Sequence, residues 1–129
     1  MRYLSLDWIE AMQSRVAASE SLQSLAASHS IGVTQVVTDG PEGTVIYHLQ
    51  VGNGKASFGA GPAPEEHVRM EQSWRTAVDV ATEAVPAQEV FIKGRITVTG
   101  ETTRLIECAP VFAALDAAFT QVRATTVYE

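Results

Sequence analysis

From Leu6 onward the apolar positions Leu6, Ile9, Met12 and Val16 recur at steps of three or four, the period of one helix face. Ser5 stands where an N-cap belongs, and Asp7 and Glu10 fall near the positive end of the helix dipole. Ser19 caps a second, shorter helix in which Leu22, Leu25 and Ala26 share a face, ending near His29. The chain then turns β-branched, with Ile31, Val33, Val36 and Val37 marking a strand from Ile31 to Thr38. After the turn formers Asp39-Gly40-Pro41-Glu42-Gly43 the period drops to two. Val45, Tyr47, Leu49 and Val51 take one face of a second strand, and Ile46, His48 and Gln50 the other. Gly52-Asn53-Gly54 predicts a tight turn into a short strand from Lys55 to Gly59, with Ala56 and Phe58 inward. Three strands so spaced form an antiparallel meander.

The loop Gly61-Pro62-Ala63-Pro64-Glu65 cannot continue a ladder, and beyond it His67 to Gln72 alternates again as a fourth strand. Ser73 caps a helix carrying Trp74, Val78, Ala81 and Val85 on one face, with Arg75 and Asp79 spaced as an i, i+4 ion pair, and Pro86 ends it. A brief helix from Ala87 to Lys93 leads to a fifth strand, Arg95 to Thr99. Leu105, Cys108, Phe112, Leu115, Phe119 and Val122 then form the longest helical stripe in the chain. Pro110 lacks the amide donor, so it kinks this helix or opens a second piece at its first turn. The tail from Ala124 to Glu129 is expected to fray.

Composition narrows the class without naming a function. A chain of 129 residues, 46% apolar and 19% charged, is an ordinary globular composition, and at this length it forms one domain, residues 1–129, around a single core. A formal charge of -6 with no basic block argues against nucleic acid and leaves at most a transient contact with an anionic membrane surface. Asp7, Glu10, Arg15 and Glu20 interrupt any signal-peptide-like run, and the ending Val127-Tyr128-Glu129 is not a peroxisomal tripeptide, so the expected location is the cytoplasm. The lone Cys108 allows no intrachain disulfide or cysteine-built metal cage and reads as a small buried apolar residue.

Catalytic signatures fail on residue identity. H-E-x-x-H, C-x-x-C, G-x-S-x-G and a calcium loop are all missing from the sequence, and the glycines around Lys55 lack the spacing of a phosphate loop. His29 falls at a helix C-terminus, while His48 and His67 fall on the polar, solvent side of the sheet. Arg69, Glu71 and Arg95 are expected to form a solvated ion-pair patch on that same side. The reading is therefore not an enzyme, with no cofactor and no metal. Trp8, Phe58, Trp74, Phe91, Phe112, Leu115 and Phe119 make the inward aromatic and aliphatic set, and taken alone they describe a packed core.

The stretch Phe91-Ile92-Lys93-Gly94-Arg95-Ile96-Thr97-Val98-Thr99-Gly100-Glu101 resembles the F-x-x-G-(K/R)-I-x-V-x-G-(D/E) form that precedes the helical C-terminus in domains similar to sterol carrier protein type 2. The resemblance extends through Tyr3-Leu4-Ser5-x-x-Trp8, the hairpin strands and Pro62-Ala63-Pro64 to the last helix. It implies an α/β (α+β) fold: a five-stranded, mostly antiparallel sheet in the order 3-2-1-4-5, with helices packed on one face. It also implies a tunnel between sheet and C-terminal helices, which turns that inward set into candidate cavity residues. Ala109, Ala113, Ala114, Ala117 and Ala118 either make room there or let helices pack closely. The implied activity is non-covalent binding or transfer of an apolar small molecule: a fatty acid, an acyl-CoA or a sterol-like compound. The alternative is an interaction or homodimerisation module, accessory to a lipid or steroid metabolic enzyme, with a vestigial cavity.

Overall fold

The computed structural model describes residues 2–41, 43–82 and 94–127. Two helices, α1 (Leu6–Ala18) and α2 (Glu20–Leu25), open the chain, and each starts at a serine whose Oγ accepts a backbone N–H at 3.2 Å: Ser5 from Trp8 and Ser19 from Leu22. Four strands follow, β1 (Ile31–Gly40), β2 (Gly43–Gly52), β3 (Lys55–Ala60) and β4 (Val68–Ser73). The turn between β2 and β3 places Asn53 and Gly54 both at positive φ, 54° and 78°, the conformation that Asn-Gly hairpins favour. Helix α3 (Trp74–Ala81) begins directly where β4 ends, because the Ser73 side chain accepts the Thr76 N–H at 3.2 Å. After β5 (Ile96–Gly100) come α4 (Thr103–Glu107) and α5 (Ala109–Arg123). The expected stripe from Leu105 to Val122 is thus two helices broken at Cys108, with Pro110 in the first turn of α5, where its missing N–H costs nothing. The ends expected at Val85 and Pro86, and the helix expected from Ala87 to Lys93, lie outside the described residues.

The five strands lie in the order β3-β2-β1-β4-β5; β1 and β4 run parallel and the other pairs antiparallel. This register sets Gln35 between Tyr47 and Met70, and Gln72 between Val37 and Ile96. Cross-strand partners share a face, so Val33, Gln35 and Val37 look the same way as Leu49, Tyr47, Phe58, Met70, Gln72, Ile96 and Val98. That inner face carries the helices. The core beneath them centres on Trp8, fully buried, with ring centroids 5.1 Å from Tyr3, 5.9 Å from Tyr47, 6.0 Å from Phe58 and 5.3 Å from Phe119.

The outer face is closed over β1 by the chain that links β3 to β4. Ala63 donates its N–H to the buried Thr34 Oγ1 at 3.0 Å, and Glu65 donates to Gln50 Oε1 at 3.0 Å. Gly32 permits this crossing, since a Cβ there would lie 1.9 Å from the Glu65 carbonyl oxygen. His67 then joins the sheet twice: its N–H donates to the Gly32 carbonyl at 2.8 Å and its Nδ1 accepts the Gly32 N–H at 2.9 Å.

Two expectations are corrected here. Arg95 does not join Arg69 and Glu71; its guanidinium reaches back to Asp79 on α3 at 2.8 Å, while Arg69 pairs locally with Glu66 at 3.2 Å. The tail does not fray as far as Val127, whose carbonyl accepts the Tyr3 N–H at 2.9 Å and which bridges Arg2. Among the described residues, no helix is long and apolar enough to cross a membrane.

Candidate ligand-binding cleft

Above β1, β2, β4 and β5 the described helices leave part of the inner face uncovered. Helix α3 turns Ala77, Val80 and Ala81 toward it, and α5 turns Phe112, Asp116, Phe119 and Arg123, four positions at steps of four, three and four. Between these helices and the sheet lies a cleft of about 290 Å³, floored by Gln35, Tyr47, Met70, Gln72 and Ile96 with Tyr3 at one end. Its size is at the lower limit of small-molecule sites, roughly 300 to 1,000 Å³. The side chains that α3 contributes to this wall are small, Ala77, Val80 and Ala81. The Arg95–Asp79 pair, reinforced by Arg75 at 3.7 Å, holds α3 against the start of β5 and so fixes that wall.

The lining is mostly apolar, with polar groups at defined places. Gln72 donates from Nε2 to Gln35 Oε1 at 3.2 Å, and Gln35 in turn donates from Nε2 to the Met70 thioether at 3.4 Å. The Tyr47 hydroxyl is buried, and that burial pushes its pKa well above the usual phenol range, partly opposed by its hydrogen bond with Tyr3. Asp116 and Arg123 set opposite charges on the α5 wall.

Of the seven residues singled out from the sequence, Phe112 and Phe119 line this cleft. Trp8 and Phe58 are buried in the aromatic cluster behind Phe119 and belong to the packed core rather than the lining. Leu115 packs against the same core one helix face away. Trp74 leans on Tyr3 with ring centroids 5.4 Å apart and does not line the cleft. Phe91 lies outside the described residues. Ala114, Ala117 and Ala118 face away from the cleft, toward Arg15, Ala18 and Ser21 of the first two helices, where a groove of about 310 Å³ has small and polar walls. The small residues of α5 thus border that groove and not the cleft.

The other candidate chemistry is dispersed. His48 Nδ1 lies 3.0 Å from the Gly61 carbonyl, His29 Nδ1 lies 3.0 Å from the Leu25 carbonyl, and His67 is engaged with Gly32. Among the described residues no three His, Cys, Asp or Glu side chains come together as a metal site would require. Burial first, and the Glu107 charge second, push the Cys108 thiol up from its ordinary value, away from the reactive thiolate. What sequence reasoning misses is the sheet floor: Gln35, Met70 and Gln72 read as strand residues without a role, and only the β1–β4 register brings them together.

No family model and no curated protein matches the sequence. Solved structures do. A conserved hypothetical protein of Thermus thermophilus, proposed as a sterol carrier protein, superimposes with a TM-score of 0.66 at 19% identity, covering 98% of this chain and 91% of its own. A crystal structure of sterol carrier protein 2 gives 0.64 at 20% identity, covering 95% and 98%. Apo sterol carrier protein 2 of Yarrowia lipolytica gives 0.64 at 13%, covering 93% and 97%. At such identities the agreement is one of shape: over nearly its whole length, this chain has the sterol carrier protein 2 fold.

Proposed function

We propose that this protein binds an apolar, lipid-like small molecule without covalent chemistry, in the cleft between the inner sheet face and helices α3 and α5, and carries it within the cytoplasm. The observation that carries the reading is the cleft itself. Among the described residues, Ala77, Val80, Ala81, Met70, Ile96, Phe112 and Phe119 line one space of about 290 Å³ with mostly apolar walls. Sterol carrier protein structures of the same shape support an apolar ligand over a polar one.

The energetics set the scale of affinity. An alkyl chain of about ten methylenes gains on the order of 8 kcal/mol on leaving water, at roughly 0.8 per methylene. Association costs roughly 4 to 15 kcal/mol. At the favourable end the difference is about 4 kcal/mol, so burial of the chain alone gives binding no tighter than about millimolar, with loose chain selectivity, suited to uptake and release rather than storage. The reading is of a carrier rather than an enzyme.

Native mass spectrometry of freshly purified protein, followed by titration with fatty acid, acyl-CoA and sterol analogues, tests this. Trp8 touches Phe119, so its fluorescence should change on filling. Saturable binding of at least one analogue is expected. A cooperatively melting protein that binds none of them would overturn the carrier reading in favour of an interaction module.

A further inference from the structure

The floor of the cleft is the least expected part of it. An apolar ligand site has no use for amide side chains, yet Gln35 and Gln72 stand on adjacent parallel strands, on the inner face, in contact with one another. We infer that they form a headgroup site, and that the ligand is an apolar chain ending in a neutral group that both donates and accepts, a hydroxyl or a primary amide, rather than a carboxylate. This rests on the cleft being the ligand site.

The hydrogen-bond inventory supports it. Each glutamine amide offers two N–H donors and two acceptor lone pairs. The pair uses few of them. Gln72 Nε2 donates to Gln35 Oε1 at 3.2 Å, and Gln35 Nε2 donates to Met70 Sδ at 3.4 Å, a weak acceptor. Gln35 stands with its nitrogen toward Met70 and its oxygen toward Gln72, which suits a thioether that only accepts. Among the described residues Gln72 Oε1 and the second N–H of each amide have no side-chain partner, so donors and acceptors stand side by side at the cleft floor. A hydroxyl or amide can satisfy both kinds at once.

A carboxylate cannot. Ionised, it accepts from the free N–H groups but has nothing to donate, so it would leave Gln72 Oε1 without a partner from the ligand. Arg123 and Asp116 both stand on the α5 wall, so that wall carries charge of both signs rather than a basic patch. The two glutamines also lie opposite Ala77 and Ala81, so a headgroup reaching the floor has its chain running out past Phe112 and Phe119.

The test is competition between decanol, decanamide and decanoate for a displaceable polarity-sensitive probe, at about pH 8 where the acid is ionised. It is run on the wild-type protein and on the Gln35→Met, Gln72→Met double variant, which keeps side-chain volume while removing both amides. Wild type should bind decanol and decanamide about tenfold more tightly than decanoate, and in the double variant the preference should shrink to within about twofold. Equal affinities for all three, or a preference unchanged in the variant, would overturn the headgroup site while leaving the apolar cleft standing. Binding of none of them would remove the cleft reading as well. If the double variant fails to fold, the single Gln72→Met variant is read against wild type in the same way.

Discussion

Ala77→Leu inserts a side chain into the cleft from the middle of α3, and its consequence separates an open site from a packed interior. Ala77 is buried, faces the sheet, and sits one turn from Ala81 with the floor residues opposite. The change adds three carbons. Where they find empty apolar space, they gain about 2.4 kcal/mol at roughly 0.8 per methylene, less about 0.5 to 1 for lost rotamers. Leu is nearly as good a helix former as Ala, so the backbone contributes little. Allowing for incomplete contact, the variant should be about 1 kcal/mol more stable than wild type, or a rise of roughly 4 °C in melting temperature for a domain of this size. Ligand uptake should fall at least tenfold, because the added isopropyl group competes for the same volume. The control is Leu115→Trp, one face around α5, where the side chain is already packed against the core. Overpacking there should cost about 1 to 3 kcal/mol. Calorimetry and probe displacement on both proteins read the outcome. If Ala77→Leu destabilises as much as Leu115→Trp, the space is not available and the cleft is not a ligand site.

The other expectations concern the scaffold. His67→Ala should cost about 1 to 3 kcal/mol, because it strands the Gly32 N–H beneath the crossing loop, while apolar binding is unchanged; an unaltered melting temperature would show that the Nδ1 contact is not formed in solution. Ser73→Ala should cost about 1 kcal/mol by uncapping α3, measured by denaturant titration, with a larger loss expected if the cleft wall shifts as well. Tyr47 gives a pH dependence: its burial raises the phenol pKa in the folded state, so below about pH 10 both folded and unfolded forms are neutral and stability is complete. Above that the unfolded chain ionises first and stability falls, and Tyr47→Phe should lessen this alkaline loss; an unchanged slope would mean that the hydroxyl is solvated.

Much of the scaffold is legible because local chemistry decides it. Ser5, Ser19 and Ser73 each precede a helical apolar period and each caps a helix, and Asn53-Gly54 fixes one hairpin. Helix α3 sits against the sheet through Asp79 and Arg95, sixteen positions apart, a pairing that no periodicity announces. β1 is harder for a different reason. It is apolar on both faces, Val36 beneath the crossing loop and Val33 and Val37 beneath the helices, so alternation cannot tell inside from outside. Gln35 therefore reads as a break in a hydrophobic strand rather than a polar floor. The cleft depends on that assignment, on the β1–β4 register and on the alanines of α3. Aromatic size, the signal used to choose site residues, marks the cluster around Trp8 as well as Phe112 and Phe119 on the cleft wall.

The most direct test is an amide-resolved NMR titration of the full chain with decanol. The account predicts saturable shifts for Gln35, Met70, Gln72, Ala77, Phe112 and Phe119, with His48 and Ser57 on the outer face unmoved. Shifts confined to the groove of Arg15, Ser21 and Gln121, or no saturable shift at all, would contradict it.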